Sequence, residues 1–336
     1  MRGRRPAVHS AGGVGFAFGE RAVSMSGVIT PIPLLSSREL VDAGQSAHRL
    51  ERRTRTGELI RLRPGIYADA GEWERLSALQ QHEARMRAHR MLHPDAVFMR
   101  ESAAVAHRIP LFGELDPRPQ VLVVPDGTRS TAWTRTVERG GPTPTVTTSG
   151  GFRSADAAET VIELAASGSL LRGIVAIDHA RGSLGIGLDR LEAAVGSRRP
   201  FRGVRRVDLA LARSTGRSES PLESLVMVRC RDLGFAAPEQ QTEIGVNGRR
   251  YRVDFSWDDG RIVLEADGRT KYLELAGDRS AAEVVLAEKA REDEIRTVVR
   301  RFGRVDWSSA LRGGPLESVL LRLGVPRIRS RTALTR

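Results

Sequence analysis

Apolar and polar positions change rhythm along this chain, and the changes divide it. Residues 36–68 read as two short helices followed by a hairpin. Ser37 can cap a helix through Ala43 that Gly44 ends, and Ser46 can cap a second through about Arg55, closed by Gly57. Residues 58–62 alternate in part like a strand, and Arg63-Pro64-Gly65 turns the chain into Ile66-Tyr67-Ala68. Farther on, the pattern predicts helices over 73–92, from Ser102, over 155–166 and over 170–181, with a buried strand at 121–124. Helical spacing sets His89 one turn from His93, with His82 nearby. No acid stands with them and Arg85, Arg87 and Arg90 surround them, so they read as a solvated face rather than a metal site.

From residue 218 the signals sharpen. Ser220, Pro221 and Glu223 form a capping box with proline at the first helical position. The helix runs apolar through Leu222, Leu225, Val226 and Leu233 to a stop at Gly234. Strands follow at about 241–246, 249–257 and 261–267, joined by Asn247-Gly248 and Asp259-Gly260, both strong hairpin signals. A two-residue turn at Asp259-Gly260 pairs Asp258 with Arg261, then Trp257 with Ile262, Phe255 with Leu264 and Val253 with Ala266. That face is apolar throughout. The opposite face sets Asp254 against Glu265, with Asp267 on the same side. Carboxylates facing each other across a ladder repel unless a cation lies between them. Mg²⁺ or Mn²⁺ takes such oxygen donors, which makes Asp254 and Glu265 candidate metal ligands. The alternative is three solvated carboxylates, with Arg252 bridging Asp267.

Length and charge add partners and exclusions. A chain of 336 residues, 40% apolar, has room for two or three domains. A net charge of +12 is the footprint of a polyanion binder, nucleic acid before membrane. The second short helix carries Arg49, Arg52, Arg53 and Arg55, where a recognition helix would meet phosphates and base edges. The alternative is a solvated basic helix in a sequence that writes arginine by default. Lys271 and Lys289 are the only lysines, and lysine offers a tunable point charge that arginine does not. Cys230 is the only cysteine, which excludes an intrachain disulfide or a cysteine-based zinc site. No apolar run approaches the roughly 18 residues of a membrane span. Residues 1–24 lack the core of a secretory signal, and Met25 is a second candidate start. A cytoplasmic location is expected.

Two longer patterns carry resemblances. The stretches "GELIRLRPGIYAD" and "RESAAVAHRIPL" resemble the N-terminal module of AbiEi-type antitoxins and the segment behind it. "SESPLES", "PEQQ", "VDFSW", "VLEADGRTKY" and "EKARED", in that order, resemble a Vsr-like endonuclease domain of the PD-(D/E)XK superfamily over roughly residues 216–310. The resemblances imply an α/β (α+β multidomain) protein. A disordered extension (1–30) precedes a winged helix-turn-helix (31–70), an α/β middle region (71–205), a restriction-endonuclease-like domain (206–325) and a basic tail (326–336). Asp254 and Glu265 then match the superfamily's two acidic positions, and Asp267 stands where its lysine is usual. Glu223 matches an acid of the first helix, although its capping role explains it equally well. Lys271 matches the lysine of the "DG..KY" signature and would supply the missing basic group. The chain departs from the patterns in three places. Arg53-Thr54 replace aliphatic residues, Leu222 replaces a glycine, and a glycine is missing after Arg296, so residues 297–307 are expected to extend a helix before turning. The implied function is a DNA-binding protein that hydrolyses phosphodiester bonds with Mg²⁺ or Mn²⁺. Its alternative is a non-enzymatic AbiEi-like antitoxin or transcriptional regulator, paired with a cognate toxin and carrying an inactive nuclease-like domain. RNA as substrate and the oligomeric state stay open.

Overall fold

The structure, a computed structural model, describes residues 22–23, 32–42, 44, 46–123, 129–138, 141–267 and 281–329. Lys271, most of the N-terminal extension and the end of the basic tail lie outside the described residues. Within the extension expected to be disordered, β1 (Ala22–Val23) pairs antiparallel with β5 (Leu111–Phe112). The chain is a mixed α/β protein. No described helix is long and apolar enough to cross a membrane.

The first unit is built as its turn residues dictate. Helices α1 (Ser37–Asp42) and α2 (Ala47–Arg55) flank Gly44, whose φ of 80° is the left-handed conformation that glycine adopts without a Cβ clash. The Ser46 hydroxyl accepts a bond from Arg49 N at 3.3 Å and so caps α2. Strands β2 (Leu35–Ser36), β3 (Leu59–Arg63) and β4 (Ile66–Asp69) form a sheet in the order β2-β4-β3. Ile32, Leu62, Ile66 and Ala68 bury against Trp73, Ala84 and Ala88, which ties the hairpin to the next helices.

The region expected to be one helix over 73–92 is two: α3 (Ala70–Glu74) and α4 (Ala78–Leu92). Ser77 separates them because it and Gln80 form a capping box that starts a new helix. The solvated histidine face is overturned at His82 and His89, while His93 stays exposed. His82 and His89 are buried, bonded to the Ser102 hydroxyl at 2.9 Å and the Thr134 hydroxyl at 3.0 Å. The hydroxyls supply what the sequence pattern did not show. Then follow α5 (Arg100–His107), the parallel pair β6 (Gln120–Leu122) and β7 (Arg135–Val137), and the hairpin β8 (Val146–Ser149) with β9 (Phe152–Ala155). Helices α6 (Ala157–Ser167), α7 (Leu170–Gly182), α8 (Leu188–Gly196) and α9 (Val204–Arg213) complete the middle region.

The last unit begins with α10 (Pro221–Asp232), capped by Ser220. Strands β10 (Glu239–Val246), β11 (Arg249–Trp257) and β12 (Ile262–Ala266) form an antiparallel meander. After α11 (Ala281–Arg296), β13 (Arg301–Val305) joins β12 in parallel, and α12 (Trp307–Arg312) and α13 (Gly314–Leu323) follow. The helix does not extend through 297–307 as expected. It ends at Arg296, and the chain enters β13 with Gly303 inside the strand, where a Cβ would meet Leu323 at 3.0 Å.

One face of this sheet joins the middle region. Phe255, Trp257, Ile262 and Leu264 share a continuous core with Leu225 and Val226 of α10 and Ile174 and Val175 of α7. Asp178 of α7 adds a polar tie: its carboxylate accepts from Thr215 N at 2.7 Å, Gly216 N at 2.9 Å and the Ser224 hydroxyl at 2.7 Å. The opposite face is covered by α11 through Ile295, which packs with Ile244, Val246, Val253 and Val263.

Burial of the histidines has a measurable consequence. Burial holds His82 down at about 4, and burial with the nearby Arg63 charge holds His89 down at about 3, against an ordinary value of 6.5. The unfolded chain therefore takes up protons below pH 6.5 that the fold refuses, and stability present above that pH is lost as pH falls. Thermal melts between pH 7 and pH 4.5 should show a falling Tm. The double variant His82→Gln, His89→Gln should show a flatter profile over that window.

Candidate functional site

The site forms where the pairing of β11 lapses on both sides. Against β10 the ladder runs through Gln240↔Phe255 and resumes at Thr242↔Val253, omitting Gln241 and Asp254. Against β12 it runs from Trp257↔Ile262 to Phe255↔Leu264 and stops before Asp254. Gln241 has φ 57°, a left-handed conformation that a non-glycine side chain adopts at a cost and that is concentrated at functional sites. Here the side chains change faces. Phe255 and Trp257 enter the core shared with the middle region, whereas Val253 packs under α11 with Ile244 and Val263. Val253 therefore does not face Ala266, as unbroken alternation predicted. Asp254 sits at the switch, and its Oδ2 accepts from Ala266 N at 2.8 Å in place of a ladder bond.

Asp254 and Glu265 lie near enough for their charges to act on each other, although not as the ladder pair expected, and a guanidinium engages Glu265. Arg291 of α11 donates to Glu265 through both terminal nitrogens, at 2.9 and 3.4 Å, and also to Glu288 at 3.1 Å and to the Arg252 carbonyl at 2.7 Å. Its fork matches the two carboxylate oxygens, the geometry that makes arginine–carboxylate pairs strong. Asp267 lies 3.6 Å from Arg304 of β13, which also binds Glu288 at 2.9 Å and Glu292 at 2.8 Å. The Arg252–Asp267 bridge of the alternative reading is not what forms. Arg252 pairs with Glu219 instead, at 2.7 Å on the surface.

Carboxylates outnumber guanidiniums in this cluster. Burial pushes the Glu265 carboxyl above its ordinary range, and the charges of Asp254 and Glu288 push the same way against the pull of Arg291. Arg291, although partly buried, is held above its ordinary value by Glu265, Glu288 and Asp254. Three acids therefore act on the Arg291 cation, and Arg304 serves the other end of the cluster. Among the described residues, no group of three or more histidines, cysteines and acids is arranged to hold a metal.

Glu223 is fully buried, and its partners are structural. It accepts from Glu219 N at 2.9 Å, the Ser220 hydroxyl at 2.7 Å and the Gln241 amide at 2.8 Å. Ser220 Oγ caps the helix by accepting from Glu223 N at 3.2 Å, but the Glu223 carboxylate takes Glu219 N in place of the Ser220 N that a capping box uses, and Gln241 ties that helix start to the strained strand position beside Asp254. Lys271 lies outside the described residues, and Lys289 is exposed on α11. On α2, Arg49, Arg52 and Arg55 are exposed, whereas Arg53 is drawn back to Glu58 at 3.1 Å. Sequence reasoning missed Arg291, Arg304, Glu288, Glu292 and Gln241. The first four lie within or face the "EKARED" stretch, where Glu288, Arg291 and Glu292 recur at helical spacing on the side that also carries Ile295.

No family model matches the chain. The uncharacterized proteins Rv2248 and MT2308, from two strains of Mycobacterium tuberculosis, are each 34% identical to it over 107 residues, 32% of this chain. The matched stretch spans 40% of each relative's length.

The arginine network separates two kinds of ion pair. Arg304→Met strips a half-buried cation from Asp267, Glu288 and Glu292, and should lower the unfolding free energy by about 1–2 kcal/mol. Arg252→Ala removes an exposed pair and should cost no more than about 0.5 kcal/mol. Urea denaturation of both variants measures the difference.

Proposed function

We propose that this chain is a DNA-binding protein whose last unit hydrolyses phosphodiester bonds with Mg²⁺ or Mn²⁺. The observation that carries the reading is the convergence of Asp254 and Glu265 at the one place where the central strand gives up its pairing on both sides. Strands serving stability alone do not leave a ladder open in order to bring two acids together. The succession of helix, three-strand meander, helix and parallel fourth strand is also the framework that the PD-(D/E)XK resemblance implies. It supports a restriction-endonuclease-like fold here, and the two-helix and hairpin unit at the start supports a winged helix.

The donor set suits a hard cation. Asp254 and Glu265 offer carboxylate oxygens, and the raised Glu265 carboxyl marks a place where added positive charge would be stabilising. Those two residues would hold the ion, with Asp267 beside them. When bound, the ion would lower the pKa of a water and offset charge on the phosphate. Arg304, and Lys271 through the signature it matches, would offset negative charge developing on the substrate. Arg49, Arg52 and Arg55 on α2 would bind phosphates, and Arg53, held by Glu58, drops out of that set.

One observation favours a second reading. The bidentate Arg291–Glu265 pair can close the site as an internal ion pair, which suits a non-enzymatic regulator that uses the same surfaces to bind DNA. Nicking of supercoiled plasmid separates the two. Wild type should nick with Mn²⁺ or Mg²⁺ and not with EDTA, while Asp254→Asn and Glu265→Gln should lose nearly all nicking and keep DNA affinity. If wild type cuts neither plasmid, single-stranded DNA nor RNA with either ion, the regulator is the better account. Binding has its own test. Arg49→Ala with Arg52→Ala should flatten the slope of log K against log salt by roughly one per lost phosphate contact. An unchanged slope would move the DNA surface away from α2.

A further inference from the structure

We propose that Arg291 is the site's own exchangeable counter-cation: its guanidinium holds Glu265 until a divalent ion takes the same oxygens, so the two compete. The inference rests on the metal reading above and goes beyond it by naming what must leave. Both terminal nitrogens of Arg291 lie on Glu265, so the oxygens that would face an ion are already engaged. Two cations crowded onto one carboxylate repel, and simultaneous full occupancy is disfavoured.

The surroundings give the displaced guanidinium somewhere to go. Glu288 lies one helical turn before Arg291 and already accepts from it at 3.1 Å, and the Arg252 carbonyl accepts at 2.7 Å. A small shift toward Glu288 would free Glu265 while keeping these partners. Arg304, bonded to Glu288 and Glu292, keeps that end of the cluster neutralised during the exchange. The Arg291 side chain is 23% exposed, so it is held firmly without being sealed in. The pair therefore acts as a latch. Without metal, the guanidinium lets the acids fold close together. With metal, it yields.

Calorimetric titration with Mn²⁺, together with thermal melts with and without Mn²⁺, tests this on the full chain. Arg291→Gln should bind Mn²⁺ about tenfold more tightly than wild type, melt lower without metal, and gain more from Mn²⁺. Arg291→Lys keeps the charge but loses the fork, so its affinity should fall between the two. It also reports if the glutamine variant folds poorly. Glu265→Gln in either background should remove the binding. Mn²⁺ bound by wild type but no more tightly by Arg291→Gln and Arg291→Lys would overturn the exchange and leave the metal reading standing. No Mn²⁺ binding by wild type or either Arg291 variant would overturn the metal reading, and the exchange with it.

Discussion

The central strand of the last unit must serve two cores that lie on opposite sides of one sheet. Its second half belongs to the core shared with α7 and α10, and its first half belongs to the smaller core under α11. A strand changes faces only by breaking its alternation, and here the break falls at Gln241 and Asp254. Each irregularity of the site follows from that demand. The ladder opens, Gln241 adopts a left-handed backbone, and Asp254 uses its carboxylate to satisfy Ala266 N. The backbone polarity left by the lapse is thereby partly met by the Asp254 side chain.

Much of this was legible in the sequence because local chemistry dictates it. Asn247-Gly248 and Asp259-Gly260 adopt the positive φ values that tight hairpins need, and the register Trp257↔Ile262, Phe255↔Leu264 follows from the second turn. Ser46, Gly57 and Gly65 likewise bound α2 and the first hairpin as their chemistry requires. The face switch was not legible. Val253, Phe255 and Trp257 alternate perfectly as letters, and nothing within them says that Val253 will side with Ile295, some forty positions later. Only the packing of α11 makes that division. The buried histidines were hidden for a similar reason, since Ser102 and Thr134 come from other parts of the chain.

The basic composition reads differently once the ion pairs are in place. A net charge of +12 suggests a broadly cationic surface, yet many arginines are committed internally. Arg172 reaches Glu101 and the carbonyls of Phe112 and Glu114, Arg198 pairs with Glu163, and Arg118 and Arg135 share Asp116. In those places arginine works as a fold-building cross-link, many donors on a planar head spanning elements far apart in sequence. The exposed arginines of α2 are a different population, because their positive charge faces solvent. Net charge alone could not separate the two.

That distinction reaches the acidic cluster as well. A set of carboxylates at an opened strand would destabilise the fold if nothing neutralised it, and the chain answers with guanidiniums on α11 and β13. Burial keeps Glu265 above its ordinary range even with Arg291 bound across it. An ion-pair network built for stability alone gains nothing from keeping Asp254 within range of Glu265, since a neutral side chain at either position would remove the repulsion. The approach of these two acids is therefore the part of the arrangement that stability does not explain, and it lies where the strand already departs from regular pairing.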